Sequence, residues 1–322
     1  MTAAPAETAA GTPAMPAAAG VSVIIVSYNG RRLLAESLPP TLAALAAAAV
    51  RTEVIVVDNG STDGTVAWLR AAFPAVIVIA VAGNAHFGEG NAIGVRAARY
   101  AHVLLLNNDM AIDPGYVDLL LAQFTDPAVF AVDGTSVDWN RIGVIEAGKS
   151  VRFARGWFAI SEAPPRPAAG PTFYATGGGM LVDREKFRAL GGFDPLFHPF
   201  YVEDVDLSYR AWRSGWTVRH EPRAVLRHRL RASTTSYCSE RRRRRILLRN
   251  YWLFYWKNVS DRELLTAHLL HLPAILLDQI YAEGLNALAA FAAALTRLPA
   301  ALAARRTLPC RRGDGEIMAL LS

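Results

Sequence analysis

The chain has 322 residues, of which 52% are hydrophobic and 19% are charged, so it can bury a core and is not a wholly disordered protein. Its two cysteines exclude a disulfide framework and a cysteine-rich zinc site. The formal net charge is +6, but eleven of the 34 basic residues lie between Arg219 and Arg249, where the only acids are Glu221 and Glu240. This local basic surface favours phosphate or anionic lipid as a partner, and no nucleic acid is expected.

Residues 1–20 are mostly Ala, Pro, Thr and Gly, without the features of a signal peptide, and we interpret them as a disordered tail. The runs that follow are typical of strands buried on both faces: VSVIIVS, EVIVVDN, VIVIAVAGN and HVLLLNND. Stretches of helical length separate them, at 31–49 (broken at Pro39 and Pro40), 65–73 and 91–100. This alternation predicts an α/β fold with a mostly parallel sheet flanked by helices.

The second half of the chain is less regular at first. Residues 133–171 are rich in Gly, Pro and aromatic residues, which indicates irregular or antiparallel structure. A helix is predicted from Leu207 to Gly215, directly after the acidic run Glu203-Asp204-Val205-Asp206. Acids before a helix compensate its dipole, so this run alone does not indicate catalysis.

Each of the four strands ends in a polar cluster, at 27–29, 58–63, 83–84 and 107–109. Parallel strands bring their carboxyl ends to one edge of the sheet, where ligands bind in such folds. One cluster alone is explained equally well as a turn and helix cap, but four at one edge favour a binding site. A dinucleotide site is the weaker alternative, because Gly88, Gly90 and Gly94 have the spacing GxGxxxG and follow the third strand.

Six ordered blocks carry a more specific resemblance: VSVIIVSYNG, EVIVVDNGSTDGT, NAHFGEGNAIGV, LLLNND, GGGMLVDREKFRALGGFDPLF and YVEDVDLSYRAWRSGW. Over about 21–233 the chain resembles the family 2 glycosyltransferases of the GT-A fold, especially bacterial rhamnosyltransferase-like members. The resemblance implies a GT-A-like (Rossmann-like) sheet and inverting transfer of a sugar from a UDP or dTDP donor to a hydroxyl acceptor. The acceptor would be a saccharide or lipid-linked hydroxyl in cell-envelope polysaccharide or glycolipid synthesis, and the cofactor Mn²⁺ or Mg²⁺.

The resemblance also implies a division of the chain. A GT-A catalytic domain would cover 21–235, with a nucleotide-binding half at 21–132 and an acceptor and catalytic half at 133–235. Residues 236–322 would then form a helical C-terminal extension.

The donor residues that the resemblance implies lie at the strand ends. Tyr28 and Asn29 would line the base pocket, and Asp58 would hydrogen-bond the uracil or thymine edge. Three further residues would border the nucleotide: Asn84, Gly90 and Asn91.

The sequence Asn107-Asn108-Asp109 occupies the DxD position of the family. Asn108 would face the ribose, and Asp109 would ligate the metal. Because Asn replaces the first two possible carboxylates, Asp109 alone supplies a charged oxygen. His228 has the spacing at which relatives place a histidine ligand, although a lone histidine is more often a packed or surface residue.

Inverting transfer needs a base beside the acceptor hydroxyl. The family's ED motif falls on Glu203-Asp204, which implies Asp204 as the base and Glu203 as the alternative. Gly178 and Gly179 would let the acceptor approach the backbone, although a tight turn also explains them. The resemblance adds Asp194 as an acceptor contact.

The C-terminal part starts with Arg241 to Arg245 and an aromatic run at 251–256. Apolar stretches of 14 and 12 residues follow, at 264–277 and 285–296, both shorter than a membrane-spanning helix. We expect these segments to lie on an anionic membrane surface, which would place the enzyme in the cytoplasm, peripheral on the inner face of the plasma membrane. A soluble helical cap or a homodimer interface is the alternative, and a catalytically inactive membrane assembly partner is the competing function.

Overall fold

The structure, a computed structural model, describes residues 18–229, 238–308 and 310–321. Residues 1–17 of the predicted tail lie outside the described part, whereas Ala18 to Gly20 already belong to the first strand. The strands are β1 (Ala18–Ser27), β2 (Thr52–Asp58), β3 (Ile77–Ala80), β4 (Tyr100–Asn107), β5 (Met110–Ile112), β6 (Val129–Asp138), β7 (Val144–Glu146), β8 (Lys149–Ala154), β9 (Trp157–Glu162), β10 (Gly170–Pro171), β11 (Gly179–Asp183) and β12 (Thr217–His228).

Helices flank these strands and form most of the C-terminal part. They are α1 (Arg31–Ala46), α2 (Thr65–Ala72), α3 (His86–Ala97), α4 (Tyr116–Leu121), α5 (Arg184–Ala189), α6 (Glu203–Arg213), α7 (Glu240–Asn258), α8 (Arg262–Glu283), α9 (Leu285–Leu295), α10 (Leu298–Arg305) and α11 (Asp314–Leu321). Two short 3₁₀ helices lie at Ala122–Thr125 and Pro195–Phe197.

One large sheet organises the described residues, with the strand order β10-β12-β6-β11-β4-β1-β2-β3. β1 pairs parallel with β2 and β4, and β2 pairs parallel with β3, as the alternating pattern predicts. β11 is antiparallel to β4 and β6, and β8 with β9 forms a separate antiparallel hairpin. The predicted α/β fold with a mostly parallel sheet, flanking helices and a helical C-terminal region is confirmed.

Three predicted helix boundaries are wrong. α1 continues through Pro39 and Pro40, which lack the N–H donors of a regular helix. Its buried face packs through Leu34, Leu38 and Leu45, and this burial offsets the loss of the two hydrogen bonds. α3 starts at His86, before the predicted residue 91. α6 starts at 203 instead of 207, so the acidic run forms the first turn of the helix.

The sequence predicts the aromatic run of α7 on a membrane surface, but most of its side chains are buried. Trp252, Phe254 and Tyr255 are at most 2% exposed and belong to the same hydrophobic core as the sheet face that carries α6. Aromatic side chains supply large apolar area, so their burial fixes α7 to the rest of the protein. The C-terminal helices therefore share a core with the preceding domain.

The expectation that the apolar stretch at 264–277 is shorter than a membrane-spanning helix is wrong for the helix that contains it. Among the described residues, α8 is one helix of 22 residues that is long and apolar enough to cross a membrane by length and composition alone. α9 and α10 together pass the same test as a pair bent by 54°. The prediction counted only the stretch 264–277, which has no Asp, Glu, Lys or Arg, whereas the helix also includes Arg262, Asp278 and Glu283.

Asp314 at the start of α11 anchors the end of the chain in the protein. It is fully buried, and its carboxylate accepts hydrogen bonds from Tyr209 and Arg213 and from the backbone N–H groups of Ser260 and Asp261, at 2.5 to 3.0 Å. A buried charge needs such partners, because desolvation is otherwise costly.

We expect Asp314→Ala to lower the free energy of unfolding by about 3 to 5 kcal/mol, because it leaves the buried Arg213 without its carboxylate partner. Glu316→Ala on the same helix is the control, since the Glu316 side chain is 58% exposed, and its effect should stay below about 1 kcal/mol. Chemical denaturation of both variants measures the difference. Equal losses would show that Asp314 does not anchor the helix.

Candidate active site

The loops that follow β1 and β2 are joined by hydrogen bonds. Asn29 has a positive φ of 48°, and its backbone N–H donates to Ser61 Oγ at 2.8 Å. Its side-chain oxygen accepts from the Thr62 N–H at 2.7 Å. Tyr28, beside Asn29, is half-buried at the same edge. The predicted base-pocket residues therefore lie together at the carboxyl ends of β1 and β2.

Asp58 ends β2 and is 1% exposed. One carboxylate oxygen accepts the Ser61 N–H at 2.9 Å, whereas the other, Oδ2, has no hydrogen-bond partner among the described residues. This buried oxygen can therefore accept a hydrogen bond from a water molecule or a bound ligand.

The residues of the third cluster have different surroundings. Asn84 is exposed, and its side-chain oxygen accepts the His86 N–H at the start of α3. A Cβ on Gly90 would lie 2.7 Å from Val26 Cγ1, so glycine is required for α3 to approach β1. The Asn91 amide donates to the Phe87 carbonyl at 2.9 Å within the helix. Nucleotide contact by these three residues stays a prediction.

The fourth cluster brings Asp109 close to His228. The pairing of β5 with β12 sets His228 opposite Met110, and its Nε2 lies 3.8 Å from Asp109 Oδ1. Asn108 is turned toward β1, where its amide donates to Ser27 Oγ at 3.1 Å. His220, which comes earlier on β12, pairs instead with Asp133 at 2.9 Å.

Asp109 and His228 are suitable ligands for a divalent cation. Burial lowers the pKa of His228, against the opposing effect of the Asp109 carboxylate, so the imidazole is neutral. Its Nδ1 is buried and has no hydrogen-bond partner among the described residues. No group of three potential metal-binding side chains occurs in the described ranges. The two residues therefore fit a metal that takes its other ligands from a diphosphate and water.

Glu203 and Asp204 occupy the first turn of α6. The turn follows Tyr201 and Val202, which both have a positive φ, of 74° and 73°. Asp204 Oδ2 accepts the Gly177 N–H at 3.0 Å, and Oδ1 accepts the Val205 N–H at 2.9 Å. These two bonds fix the orientation of the Asp204 carboxylate.

The two carboxyl groups differ in their hydrogen bonding. Burial raises the pKa of both, and the charge of Asp204 contributes to raising the pKa of Glu203 to about 8. The N–H groups of Gly177 and Val205 oppose this rise for Asp204. Glu203 Oε2 is buried without a hydrogen-bond partner in the described part of the chain. Glu203 therefore holds its proton at neutral pH.

The glycine loop, residues 177–179, connects α6 to the edge of the sheet. Asn107 N–H donates to the Gly178 carbonyl at 3.0 Å, next to the Gly177 bond with Asp204. A Cβ on Gly178 would lie 2.6 Å from Asn107 Nδ2, and one on Gly179 would lie 2.3 Å from Leu226 Cδ2. A larger residue at either position would displace these side-chain ends, so the packing favours glycine, and an acceptor contact by the backbone stays a prediction.

Asp194 contacts a different element. One oxygen accepts the Leu196 N–H at 2.8 Å, and the other lies 2.6 Å from Nζ of Lys257 on α7. The structure brings Asp194 to the C-terminal helices, whereas Asp204 faces the glycine loop.

Sequence reasoning missed Glu146 and Asp133, which influence the same site. Burial raises the pKa of Glu146 to about 7, with a further contribution from Asp204 and Asp133. Asp133 accepts the Thr176 N–H at 2.9 Å and so fixes the glycine loop from the other side. A charged residue inside the apolar run VFAVDG could have indicated Asp133, but Glu146 lies in the irregular block, where no motif marks it.

The mostly parallel sheet, with polar side chains at its parallel strand ends, defines an α/β protein of the GT-A type. Residues 22–191 match the family described as Glycosyl transferase family 2. The chain belongs to this family.

A curated relative is similar in sequence, and solved structures are similar in fold. The chain is 28% identical over 223 residues to the N-acetylglucosaminyl-diphospho-decaprenol L-rhamnosyltransferase of Mycobacterium tuberculosis, covering 60% of this chain and 72% of that protein. The mannosyltransferase PcManGT of Pyrobaculum calidifontis, solved with GDP-Man and Mn²⁺, is similar with a TM-score of 0.54 and 20% identity, over 89% of this chain and 81% of that one. The structure of S. aureus TarS with UDP-GlcNAc is similar with a TM-score of 0.56 and 15% sequence identity, over 89% of this chain and 91% of that one.

The raised pKa of Glu203 makes stability depend on pH. The unfolded chain loses this proton near pH 4.5, whereas the folded protein keeps it to about pH 8, so rising pH across this range favours unfolding. We expect Glu203→Gln to raise the melting temperature more at pH 8 than at pH 5, because Gln cannot ionise. The control is Glu185→Gln, whose side chain is 63% exposed in the parent. A constant difference across the range would contradict the buried, protonated Glu203.

Proposed function

We propose that this family 2 member is an inverting glycosyltransferase that moves a sugar from a UDP or dTDP donor to a hydroxyl acceptor. The observation that carries the proposal is the fixed carboxylate of Asp204, which the Gly177 N–H holds beside the edge of the sheet. Inverting transfer requires a base that removes the acceptor proton on the face opposite the leaving diphosphate. A carboxylate with a fixed orientation meets this requirement.

Asp204 suits the role of base better than its neighbour. A general base must be ionised at the working pH and must keep its orientation. Glu203 holds its proton up to about pH 8, and its Oε2 lacks a hydrogen-bond partner among the described residues. Two backbone N–H groups both orient Asp204 and favour its charged form. Glu203 remains the alternative.

The base of the donor would bind between the loops after β1 and β2. In this arrangement Asp58 Oδ2 accepts the ring N–H of uracil or thymine, which would satisfy this buried oxygen. The half-buried Tyr28 would line this pocket, and Asn29 holds the two loops together. This chemistry supports a uridine or thymidine donor.

Asp109 and His228 would hold Mn²⁺ or Mg²⁺ at the diphosphate. When bound, the cation neutralises the negative charge that develops on the leaving group. The short distance between the two side chains and the neutral imidazole support this role. Asn108 would approach the ribose from its position beside Ser27.

The acceptor is proposed from a single relative. The mycobacterial rhamnosyltransferase acts, by its name, on a sugar linked through diphosphate to decaprenol. We take a lipid-linked saccharide at the inner face of the plasma membrane as the acceptor, in cell-envelope glycan synthesis. The backbone of Gly178 and Gly179 would contact this acceptor, and the Gly177 bond to Asp204 supports that proposal.

Thermal-shift screening of nucleotide sugars with and without Mn²⁺, followed by donor hydrolysis without acceptor, tests the function. A UDP or dTDP sugar should raise the melting temperature, and Mn²⁺ should increase the shift. Metal-dependent hydrolysis of that donor would exclude the catalytically inactive assembly partner. If no nucleotide sugar binds, the proposal fails.

Asp204→Asn should lower turnover at least about 100-fold, the lower end for the loss of a general base, because Asn accepts hydrogen bonds but cannot take a proton. Donor affinity should change little, since Asp204 faces the acceptor side. The matched control is Glu203→Gln, which we expect to retain much more activity. Turnover near the parent value in Asp204→Asn would exclude it as the base, and a larger loss in Glu203→Gln would transfer the role to Glu203.

Asp109→Ala should abolish both turnover and the increase in donor binding on adding Mn²⁺, because it removes the single carboxylate at the DxD position. His228→Ala should weaken metal activation while donor affinity without metal stays the same. Mn²⁺ titrations of donor binding measure both effects. Asp113→Ala is the control, since Asp113 lies nearby and pairs with Arg141 and Arg227. Parent-like titrations in both variants would refute the metal site.

A further inference from the structure

One face of α8 is apolar and exposed from Leu269 to Tyr281, with the exposed Asp278 at its edge and the exposed Glu263 before it. Leu269, Leu270 and Leu277 are 69%, 75% and 65% exposed, and Tyr281 is 96% exposed. Leu285 continues this surface into α9 with 73% exposure. We call these five residues the apolar face. Contiguous exposed apolar surface of this kind marks a site of interaction with a protein or a membrane.

The opposite side of α8 is bound to α7 along its length. The Tyr255 hydroxyl donates to the Leu264 carbonyl, Trp256 donates to His268, and Trp252 donates to Gln279, at 2.9 to 3.2 Å. At 100° per residue these α8 positions form one stripe, and the apolar face lies on the other side of the helix. α8 therefore lies lengthwise on the protein, an arrangement expected for a helix in the plane of an interface.

A basic cluster lies at the α9 end of the apolar face. Arg244 pairs with Glu283 at 2.9 Å, and Arg245 donates to Asn286 at 3.0 Å, so the start of α7 contacts the junction of α8 and α9. Arg241 and Arg242 are exposed at the same end. Of the five arginines at 241–245, Arg243 is buried, which corrects the expectation that all five face the membrane. Glu240 and Glu283 are the acids paired with this cluster, so its net charge is positive.

We propose that the apolar face and the exposed arginines beside it form a docking surface for an anionic lipid bilayer. Leucines on one side of a helix with arginines at its edge complement acyl chains and anionic headgroups. A second protein copy could cover the leucines, but it would carry the same positive cluster. The docking surface adds a place of action to the proposed function, and lipid binding is measured without catalysis.

Flotation of the full chain with vesicles of phosphatidylcholine, with and without phosphatidylglycerol, tests this surface. The parent should float with the anionic vesicles, and high salt should release it only in part, because salt screens the arginines and not the leucines. Leu270→Glu with Leu277→Glu should lower the floated fraction at least about tenfold. Arg241→Gln with Arg242→Gln should lower binding to anionic vesicles and leave binding to neutral ones unchanged.

Matched variants separate lipid contact from altered folding or charge. Ile142→Glu changes an exposed apolar residue that is 84% exposed elsewhere in the chain, and Arg70→Gln removes an exposed arginine on α2. Both should float like the parent, and all variants should keep the parent circular dichroism spectrum. Unchanged flotation of the leucine variant would overturn the proposal.

Two further outcomes would also overturn it. If the parent does not float but is a dimer in solution, and the leucine variant is a monomer, a second copy of the chain covers the apolar face. Resistance of the bound parent to extraction at alkaline pH, with protease reaching the end of the chain only from the far side of the bilayer, would show that α8 spans the membrane.

Discussion

The position of the proposed catalytic base depends on a buried group of charges between α6 and α7. Asp206, two residues after Asp204, is fully buried and lies 2.7 Å from both Lys257 and Arg210. Burial alone would raise the pKa of Asp206, but these two cations lower it and keep the carboxylate charged. Arg210 also donates to the Gly192 carbonyl, which fixes the loop before α6. Lys257 of α7 therefore contributes a buried charge that holds helix α6 in place.

The contacts of α7 with α6 and with the loop before it join the C-terminal helices to the catalytic domain. The resemblance implied a catalytic domain over 21–235 and a separate C-terminal extension over 236–322, and the composition of this extension predicted contact with a membrane surface. In the structure, the side-chain amide of Asn250 on α7 donates to the carbonyls of Phe200 and Tyr201, directly before the acidic turn of α6. The same helix supplies Lys257 to Asp206 and to Asp194. The C-terminal helices thus contribute to the geometry of the site, and an aromatic core fastens them to it.

Local sequence predicted the parts of the fold that local forces determine. Runs of Val, Ile and Leu identified the parallel strands, and polar residues after them identified the edge that carries Asp58 and Asp109. Local sequence patterns did not predict the contacts between segments that are far apart in the chain. The proximity of His228 to Asp109 depends on β5 pairing with β12, and was expected only from the resemblance. The aromatic run of α7 has the same composition in a buried helix as at a membrane surface, so only the packing decides between them.

Helix α7 connects the proposed membrane-docking surface to the candidate active site. The exposed Arg241 lies near the start of α7, and Asn250, which holds the loop before Asp204, follows nine residues later on the same helix. At 1.5 Å per residue these two positions are about 14 Å apart along the helix axis. A lipid-linked acceptor keeps its diphosphate at the headgroup level, and its sugar extends beyond it. Because α7 joins the basic cluster to the loop before Asp204, a bilayer docked on α8 would hold the proposed acceptor at a fixed height relative to Asp204.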